Sequence, residues 1–469
     1  MEGNIKKKKF VMPHTYVILG IFILFGFFLT FVLPSGEYDR YLNDAGLTVV
    51  NAESFHLVEK AYLNVFDLLL AVPTGLINMA SIIFFIFIIV GAFQIVIATG
   101  TLNVAIGQVA RAMRGKEIWS IPLLLFVFSI GGATFGMSQE GLVFVPIAIM
   151  LARSFGYDAM TGMCMVLIGA QVGFQAGWMN PFNVGIAQGI AELPIYSAIG
   201  VRLVLWIVFL IVTSWYMMRY ARRVQSDPTK SLVHDLEVEQ AGQGSIDLEN
   251  LEKLSGRQIG VLLVIVATLA TVIYGLTNLD WFINEMSAMF VAMGIISGFV
   301  GGFGPSRICE EFVKGCETIV YGCLIVGIAQ TMVVLLQQGM VIDTVVYDLA
   351  GLVSALPPFL TAIGMMLVQT IINFFVNSGT GQAALTMPIM VPLADILGIT
   401  RQTAVFAFQM GDGLSNCIFP TSPTLMASLG LAKIGYDKYL KFLMPLWLIW
   451  NLIAVLLLVY CTMTNIGPF

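Results

Sequence analysis

Charge is scarce in this sequence. Lys, Arg, Asp and Glu make up 11% of its 469 residues, where a soluble chain carries about a quarter. Hydrophobic residues make up 58% and gather in repeated runs of about twenty, which excludes a soluble globular protein. The runs are continuous rather than alternating, which excludes a β-barrel. Histidine is nearly missing: His14, His56 and His234 lie far apart, and no His-Glu-x-x-His sequence occurs. No Gly-x-x-x-x-Gly-Lys phosphate loop occurs, so ATP has no residues to hold it. Cysteines are few. Cys309, Cys316 and Cys323 recur every seven residues, which is a helical face and not a zinc spacing. Neither a metal nor a cofactor is expected. Lys6 to Lys9 precede the first apolar run with no small-residue cleavage site after it, so they read as the cytoplasmic flank of a retained helix. Such a run beside a span is no nucleic-acid site, and no nucleic-acid partner is expected.

What remains is an all-α polytopic membrane protein. The pattern predicts spans at 14–33, 80–98, 198–219, 257–276, 284–303, 317–338 and 442–461, with interfacial helices at 65–78 and 340–354 and an amphipathic one at 101–113. An outer loop from Pro34 to Lys60 has strand character at Leu47–Val50. Two apolar regions are broken by polar tips. The first runs from Ile118 to Arg153 and breaks at 131–140; the second runs from Pro357 to Leu397 and breaks at Asn377–Gln382. Each half is too short to cross about 30 Å, so both read as re-entrant hairpins. Two further helices, over 158–190 and 401–430, break at Asn180-Pro181 and at Pro420–Pro423. The expected domains are an N-terminal span and outer loop (1–63), a first repeat (64–219), a cytoplasmic linker (220–256), connecting spans (257–303) and a second repeat (304–469).

The two broken regions are copies. At an offset of 242, Pro146 meets Pro388, Gly156 meets Gly398, Thr161 meets Thr403, Gly169 meets Gly411 and Pro181 meets Pro423. Prolines and glycines weigh most because they mark backbone requirements. Threading the elements puts Arg111, Arg153, Arg222, Lys253, Arg307, Lys314, Lys433 and Lys441 on one side and Arg40, Lys60 and Arg401 on the other. That bias makes the repeat inverted and the N-terminus cytoplasmic. Inverted repeats with discontinuous helices place binding sites near the bilayer midplane in secondary transporters.

Half-helix N-termini suit a substrate carboxylate, and unwound carbonyls and hydroxyls suit a cation. The candidate substrate-binding residues are Thr134, Ser138, Asn180 and Asn183 in the first half, and Asn377, Ser378, Thr380, Asn416, Ser422 and Thr424 in the second. Singly, each of these is equally suited to capping a helix or bridging two helices. Glu140 and Asp412 are sharper: each is an acid deep in an apolar stretch, and neither is matched by an acid in the other copy, where Gln382 and Ala170 stand. Arg202 is the one arginine well inside an apolar run that could pair with them. Two acids beside carboxylate-binding helix ends suit a substrate bearing amino groups; they equally suit a proton or Na⁺ site. An aspartyl protease reading of Tyr157-Asp158 and Gly411-Asp412 fails because position 409 is Gln and Asp158 sits at a membrane edge. No enzymatic activity is expected.

Three separated segments carry a family resemblance: Met12-Pro-His-Thr-Tyr16, Pro34-Ser-Gly-Glu-Tyr-Asp39 and Asn180-Pro-Phe-Asn-Val-Gly-Ile-Ala-Gln188. Together they resemble the YfcC family, grouped with the anaerobic four-carbon-dicarboxylate carriers and the ion transporter superfamily. The resemblance spans essentially the whole chain. It implies a bacterial inner-membrane carrier with a scaffold domain and a mobile transport domain, working as a homodimer by an elevator motion. Its assigned substrates are arginine and ornithine or other amino acids, with dicarboxylates as the alternative. Sodium-coupled carriers of the superfamily use Ser-Asn-Thr at hairpin tips, and this chain departs from that pattern at both tips.

Overall fold

The computed structural model describes residues 15–42, 48–134, 136–240, 254–279, 281 and 283–467. The Lys6–Lys9 cluster, the Met12–His14 part of the first signature, Leu47 and Lys253 lie outside the described residues, as do the linker acids Asp247 and Glu252. The chain opens with α1 (Thr15–Val32). The outer loop forms β1 (Gly36–Glu37), β2 (Arg40–Leu42), β3 (Thr48–Val50) and β4 (His56–Leu57), paired antiparallel as β1 with β4 and β2 with β3. Eight helices follow: α2 (Val65–Asn78), α3 (Ala80–Ala98), α4 (Thr101–Ala112), α5 (Ser120–Thr134), α6 (Val145–Ser154), α7 (Ala159–Ala176), α8 (Ile186–Ile190) and α9 (Ile199–Ser226). Short α10 (His234–Glu239) precedes the second half. That half comprises α11 (Gly256–Asn278), α12 (Ile283–Val300), α13 (Pro305–Gln338), α14 (Ile342–Ser354), α15 (Pro358–Phe375), α16 (Gly379–Leu397), α17 (Arg401–Ser415), α18 (Pro423–Ala432) and α19 (Tyr436–Thr464).

Local chemistry sets the helix ends. Asn64 with Asp67 opens α2, and Ser255 with Gln258 opens α11, as reciprocal capping boxes. Asp158, Ser378, Thr400 and Ser422 cap α7, α16, α17 and α18 through their side-chain oxygens. Among the described residues, eight helices are long and apolar enough to cross a membrane. Three spans run longer than expected: α9 continues to Ser226, α19 runs from Tyr436 to Thr464, and α13 differs most. The predicted span at 317–338 is the end of α13, which starts at Pro305. Its charged first part (Arg307, Glu310, Glu311, Lys314) hides it from a hydropathy reading, yet 34 helical residues reach roughly 51 Å, well beyond a bilayer core.

Corresponding elements recur at the same offset. Ala159 and Arg401 begin α7 and α17, and 159 and 401 differ by 242. The segment from Pro181 to Ile190 corresponds to α18, Pro423–Ala432, at both ends. The α2–α3 pair corresponds to unbroken α13, and α4 corresponds to α14. Packing repeats too: α7 packs on α5, α6 and α9, as α17 packs on α15, α16 and α19. The copies run in opposite senses. Where α7 begins, the Ala159 N–H donates to Glu237 of α10 (2.8 Å). Past α8, Glu192 meets Arg401 at the start of α17 (2.7 Å). Past α18, Lys438 returns to Asp235 of α10.

The core surrounds α7 and α17. Every residue of α7 is buried, as is every residue of α17 from Gln402 to Ser415. Apolar residues also cover the outside: Ile21, Leu24 and Phe28 of α1, Val204 and Ile211 of α9, and Leu263 and Val266 of α11 are exposed. Outward apolar stripes on central hydrophobic helices are what a bilayer requires and water does not. The ribbons are fastened to the second half. Arg40 donates to both carboxylate oxygens of Asp343 (2.9 and 2.8 Å), and Phe55 stacks on Tyr347 at 4.1 Å.

Candidate functional site

The backbone breaks where the sequence predicts breaks, and the polar tips converge. After α7, Gly177 is left-handed (φ 47). Asn180 then accepts from the Phe182 N–H (2.9 Å) and the Asn183 N–H (3.4 Å) and donates to the Gly132 carbonyl (3.3 Å). The broken segment is thereby tied to the end of α5. In the second copy Ser422 starts α18 one residue before Pro423, a residue suited to a first helical position.

The tips cross over. Ser138 Oγ lies 2.9 Å from Thr424 Oγ1, so the first tip touches the second break. Thr380 Oγ1 donates to the Phe182 carbonyl (2.8 Å), so the second tip touches the first break. Residues 138 and 380, like 182 and 424, are 242 apart. A two-fold axis turns one such contact into the other. Gln175 and Cys417 are also 242 apart, and Gln175 Nε2 lies 3.3 Å from Cys417 Sγ, where the axis would pass.

A cavity of about 360 Å³ occupies this crossing. Ser138, Gln139 and Glu140 line it from the first tip, and Asn377, Ser378, Gly379 and Thr380 from the second. Asn416, Ser422 and Thr424 come from the second break, Phe182 from the first. Phe174, Trp281, Met79 and Ile82 complete its apolar walls, and Gln171 adds one amide. Glu140 is the only charged side chain among these lining residues. The Ser138 N–H donates to its Oε2 (2.8 Å), which fixes the carboxylate at the tip. The first turns of α16 and α18 start at this cavity, and first-turn N–H groups have no intrahelical acceptor. A larger cavity of about 1120 Å³ lies under the ribbons, between β2–β3, α8 and α16. The crossing is the better site because both tips and both breaks contribute to it.

Of the predicted residues, Ser138, Glu140, Asn377, Ser378, Thr380, Asn416, Ser422 and Thr424 are brought together there. Four are not among its lining residues. Thr134 Oγ1 donates to the Ile130 carbonyl within α5 (2.7 Å). Asn180 is consumed by its capping role. Asn183 and Asp412 lie one layer behind: Asn183 Nδ2 donates to Asp412 Oδ2 (3.3 Å), and Asn416 Nδ2 to Asp412 Oδ1 (3.0 Å). Both acids lack an ion-pair partner among the described residues, and Arg202 reaches neither. Asp158 serves elsewhere, accepting from Thr161, Tyr220 and Ser231. Gln382, the counterpart of Glu140, turns into the core and donates to the Gln369 carbonyl (2.8 Å).

The sequence reading missed Asn373. Its Nδ2 lies 2.8 Å from Asn416 Oδ1, which Asn377 also reaches at 2.8 Å. The signal was available: Asn373 stands in an apolar stretch four residues before Asn377, although α15 ends between them at Phe375. Gln171, Phe174 and Trp281 carried no such signal, because their shared wall exists only in the fold.

Helices able to span a membrane, interrupted around a polar cavity, mark a multi-pass membrane transporter. The chain belongs to the C4-dicarboxylate anaerobic carrier family, DcuC, which matches residues 12–463. It is 35% identical to YfcC of Escherichia coli, provisionally named a basic amino acid antiporter, over 92% of this chain and 93% of that one. A Haemophilus influenzae protein of no assigned function is 27% identical over 95% of this chain and 96% of its own. The C4-dicarboxylate transporter DcuA of Escherichia coli is 23% identical over 78% of this chain and 82% of its own. Among solved structures, the YdaH transporter of Alcanivorax borkumensis aligns over 97% of this chain and all of that one, at 15% identity and TM-score 0.42. MtrF of Neisseria gonorrhoeae, described as one of a class of antimetabolite efflux pumps, aligns over 98% and 96% at 14% identity and TM-score 0.40.

Proposed function

We propose that this protein is a secondary transporter of a basic amino acid, of the arginine and ornithine kind, in the bacterial inner membrane. The observation that carries this reading is the cavity: Glu140 is its one charged lining residue, and two helix starts open onto it. The helix starts bind the α-carboxylate, and Glu140 receives the side-chain cation. Ser138, Asn377, Ser378, Thr380, Asn416, Ser422 and Thr424 supply neutral hydrogen bonds. Asp412, held by Asn183 and Asn416 behind the wall, serves a proton or Na⁺ that drives or balances the exchange. The two hairpins re-enter from opposite faces of the bilayer, with the N-terminus cytoplasmic.

The motion in this reading is an elevator movement within a homodimer. The tips, α7, α17 and α18 form the moving body, and α3 and α13 the frame. One close crossing supports that division: a Cβ on Gly322 of α13 would stand 2.7 Å from Gly430 Cα of α18. Side chains there would key the two bodies together.

A C4-dicarboxylate is the second reading, favoured by the family's description and by the likeness to DcuA. It would place a dianion beside Glu140 with no cation in the lining. Uptake of labelled arginine and succinate into proteoliposomes separates the two. The expectation is arginine uptake, with the KM raised more than about tenfold by Glu140→Gln, since a hydrogen bond to a charged group contributes about 1.5–3 kcal/mol. Succinate uptake without arginine uptake would overturn the assignment.

A further inference from the structure

Arg202 does nothing in the proposed transport cycle, yet it is among the largest fully buried side chains of the protein. It projects from α9 onto α17, where its guanidinium lies 4.3 Å from the centroid of Phe406 and its Nη1 donates to Gln409 Oε1. No acidic side chain among the described residues pairs with it, and its Nε and Nη2 are buried without an acceptor. An uncompensated buried cation is among the costliest arrangements a protein can hold.

The neighbouring groups repeat the pattern. Gln409 also reaches the Phe174 carbonyl, at 3.5 Å, and fills the hollow of the Gly177 kink, where a Cβ would stand 2.3 Å from its Nε2. The next residue, Trp178, packs against Trp206, one turn beyond Arg202 on α9 (centroids 6.1 Å apart). The Trp178 Nε1–H is likewise buried without an acceptor. Beside one unwound kink, then, two side chains on different elements hold three donor nitrogens without an acceptor and one formal positive charge.

We propose that this kink is an anion site. A small monovalent anion, a halide or a solute carboxylate, accepts from Arg202 and Trp178 and neutralises the guanidinium, separately from the cavity at Glu140. Chloride is the probe. The full-length protein in detergent is melted in chloride and in gluconate at equal ionic strength and fixed Na⁺. A saturable rise in Tm with chloride is expected, because a ligand that binds only the folded state stabilises by mass action. The rise is expected to vanish in Arg202→Met and to need several-fold more chloride in Trp178→Phe. If Arg202→Met does not fold, the Trp178→Phe midpoint alone decides. A solute carboxylate as occupant predicts instead a flat chloride response, with an arginine- or succinate-dependent rise that survives Glu140→Gln and is lost in Arg202→Met or weakened in Trp178→Phe. Equal melting in every anion and solute, or a rise unmoved by Arg202→Met or by Trp178→Phe, overturns the proposal.

Discussion

Glu140 and Gln382 occupy equivalent tip positions and end in different places. The carboxylate lines the cavity, whereas the amide turns inward to Gln369. An acid in an apolar run is legible in sequence as a group that needs a reason. Which acid lines the cavity and which stands behind the wall is set by the fold, where Asn183 and Asn416 hold the Asp412 carboxylate, so Asp412 and Glu140 look alike until the chain is folded. A residue-scale prediction concerns Asp235, whose hydrogen bonds from Lys438 hold its carboxyl below the usual carboxylate value. A depressed folded value means the pair stabilises above the unfolded value of about 3.9 and loses that contribution as pH falls through the lower folded one. The pair is solvent-exposed, so its contribution is about 0.2–1 kcal/mol at most. Asp235→Asn is therefore expected to lower the Tm slightly at pH 7 and by less as the pH drops below about 4. A constant difference across that range would assign the effect to something other than the charge.

At the scale of elements, the crossing of α5 with α7 fixes the first tip. A Cβ on Gly173 would stand 1.8 Å from the Ser129 carbonyl oxygen, and one on Gly132 would stand 1.9 Å from that of Ala170. Both obstacles are backbone, so no rotamer can relieve them. Gly173→Ala is expected to lower stability by about 1–3 kcal/mol, the range for overpacking. It should also shift the first tip, so transport should fall further than a melt alone explains. Melting and uptake measured on the same preparation test this; a wild-type Tm would show that the helices part freely. Breaks and tips were legible because Pro181, Pro423 and the glycine-rich tips state backbone requirements directly. The start of α13 was not, because hydropathy locates the membrane and not the helix. Nor could Gly132 and Gly173 be read as one crossing, since 41 residues separate them and only the fold brings Ser129 and Ala170 against them.

For the whole molecule, the ion pairs sort the chain into two ends. Glu192, Asp395 and Arg401 gather at the end that carries the ribbons. Arg153 with Glu237, and Lys438 with Asp235, gather at the end that carries α10. The sequence already separated Arg401 from Arg153 by charge bias alone, and the contacts give that separation a geometry: α7 and α8 run from the α10 end to the ribbon end, and α17 and α18 run back. If the repeat is inverted across a bilayer, the two ends face different compartments, and the bias of arginine and lysine toward the α10 end makes that end cytoplasmic. Cys309, which is exposed, and Cys316, which is partly exposed, are first replaced by Ser, which leaves only buried thiols, unreactive to a charged reagent. Glu53→Cys and Asp395→Cys, both exposed near the ribbons, are then expected to react with a membrane-impermeant maleimide on intact cells. Asp235→Cys is expected to react only after permeabilisation. Labelling of all three from one side would mean that the copies are not inverted across the membrane. Reversed sidedness would keep the inversion, turn the protein over and place its N-terminus outside, because the relation between the copies is set by their contacts and the orientation only by the charges.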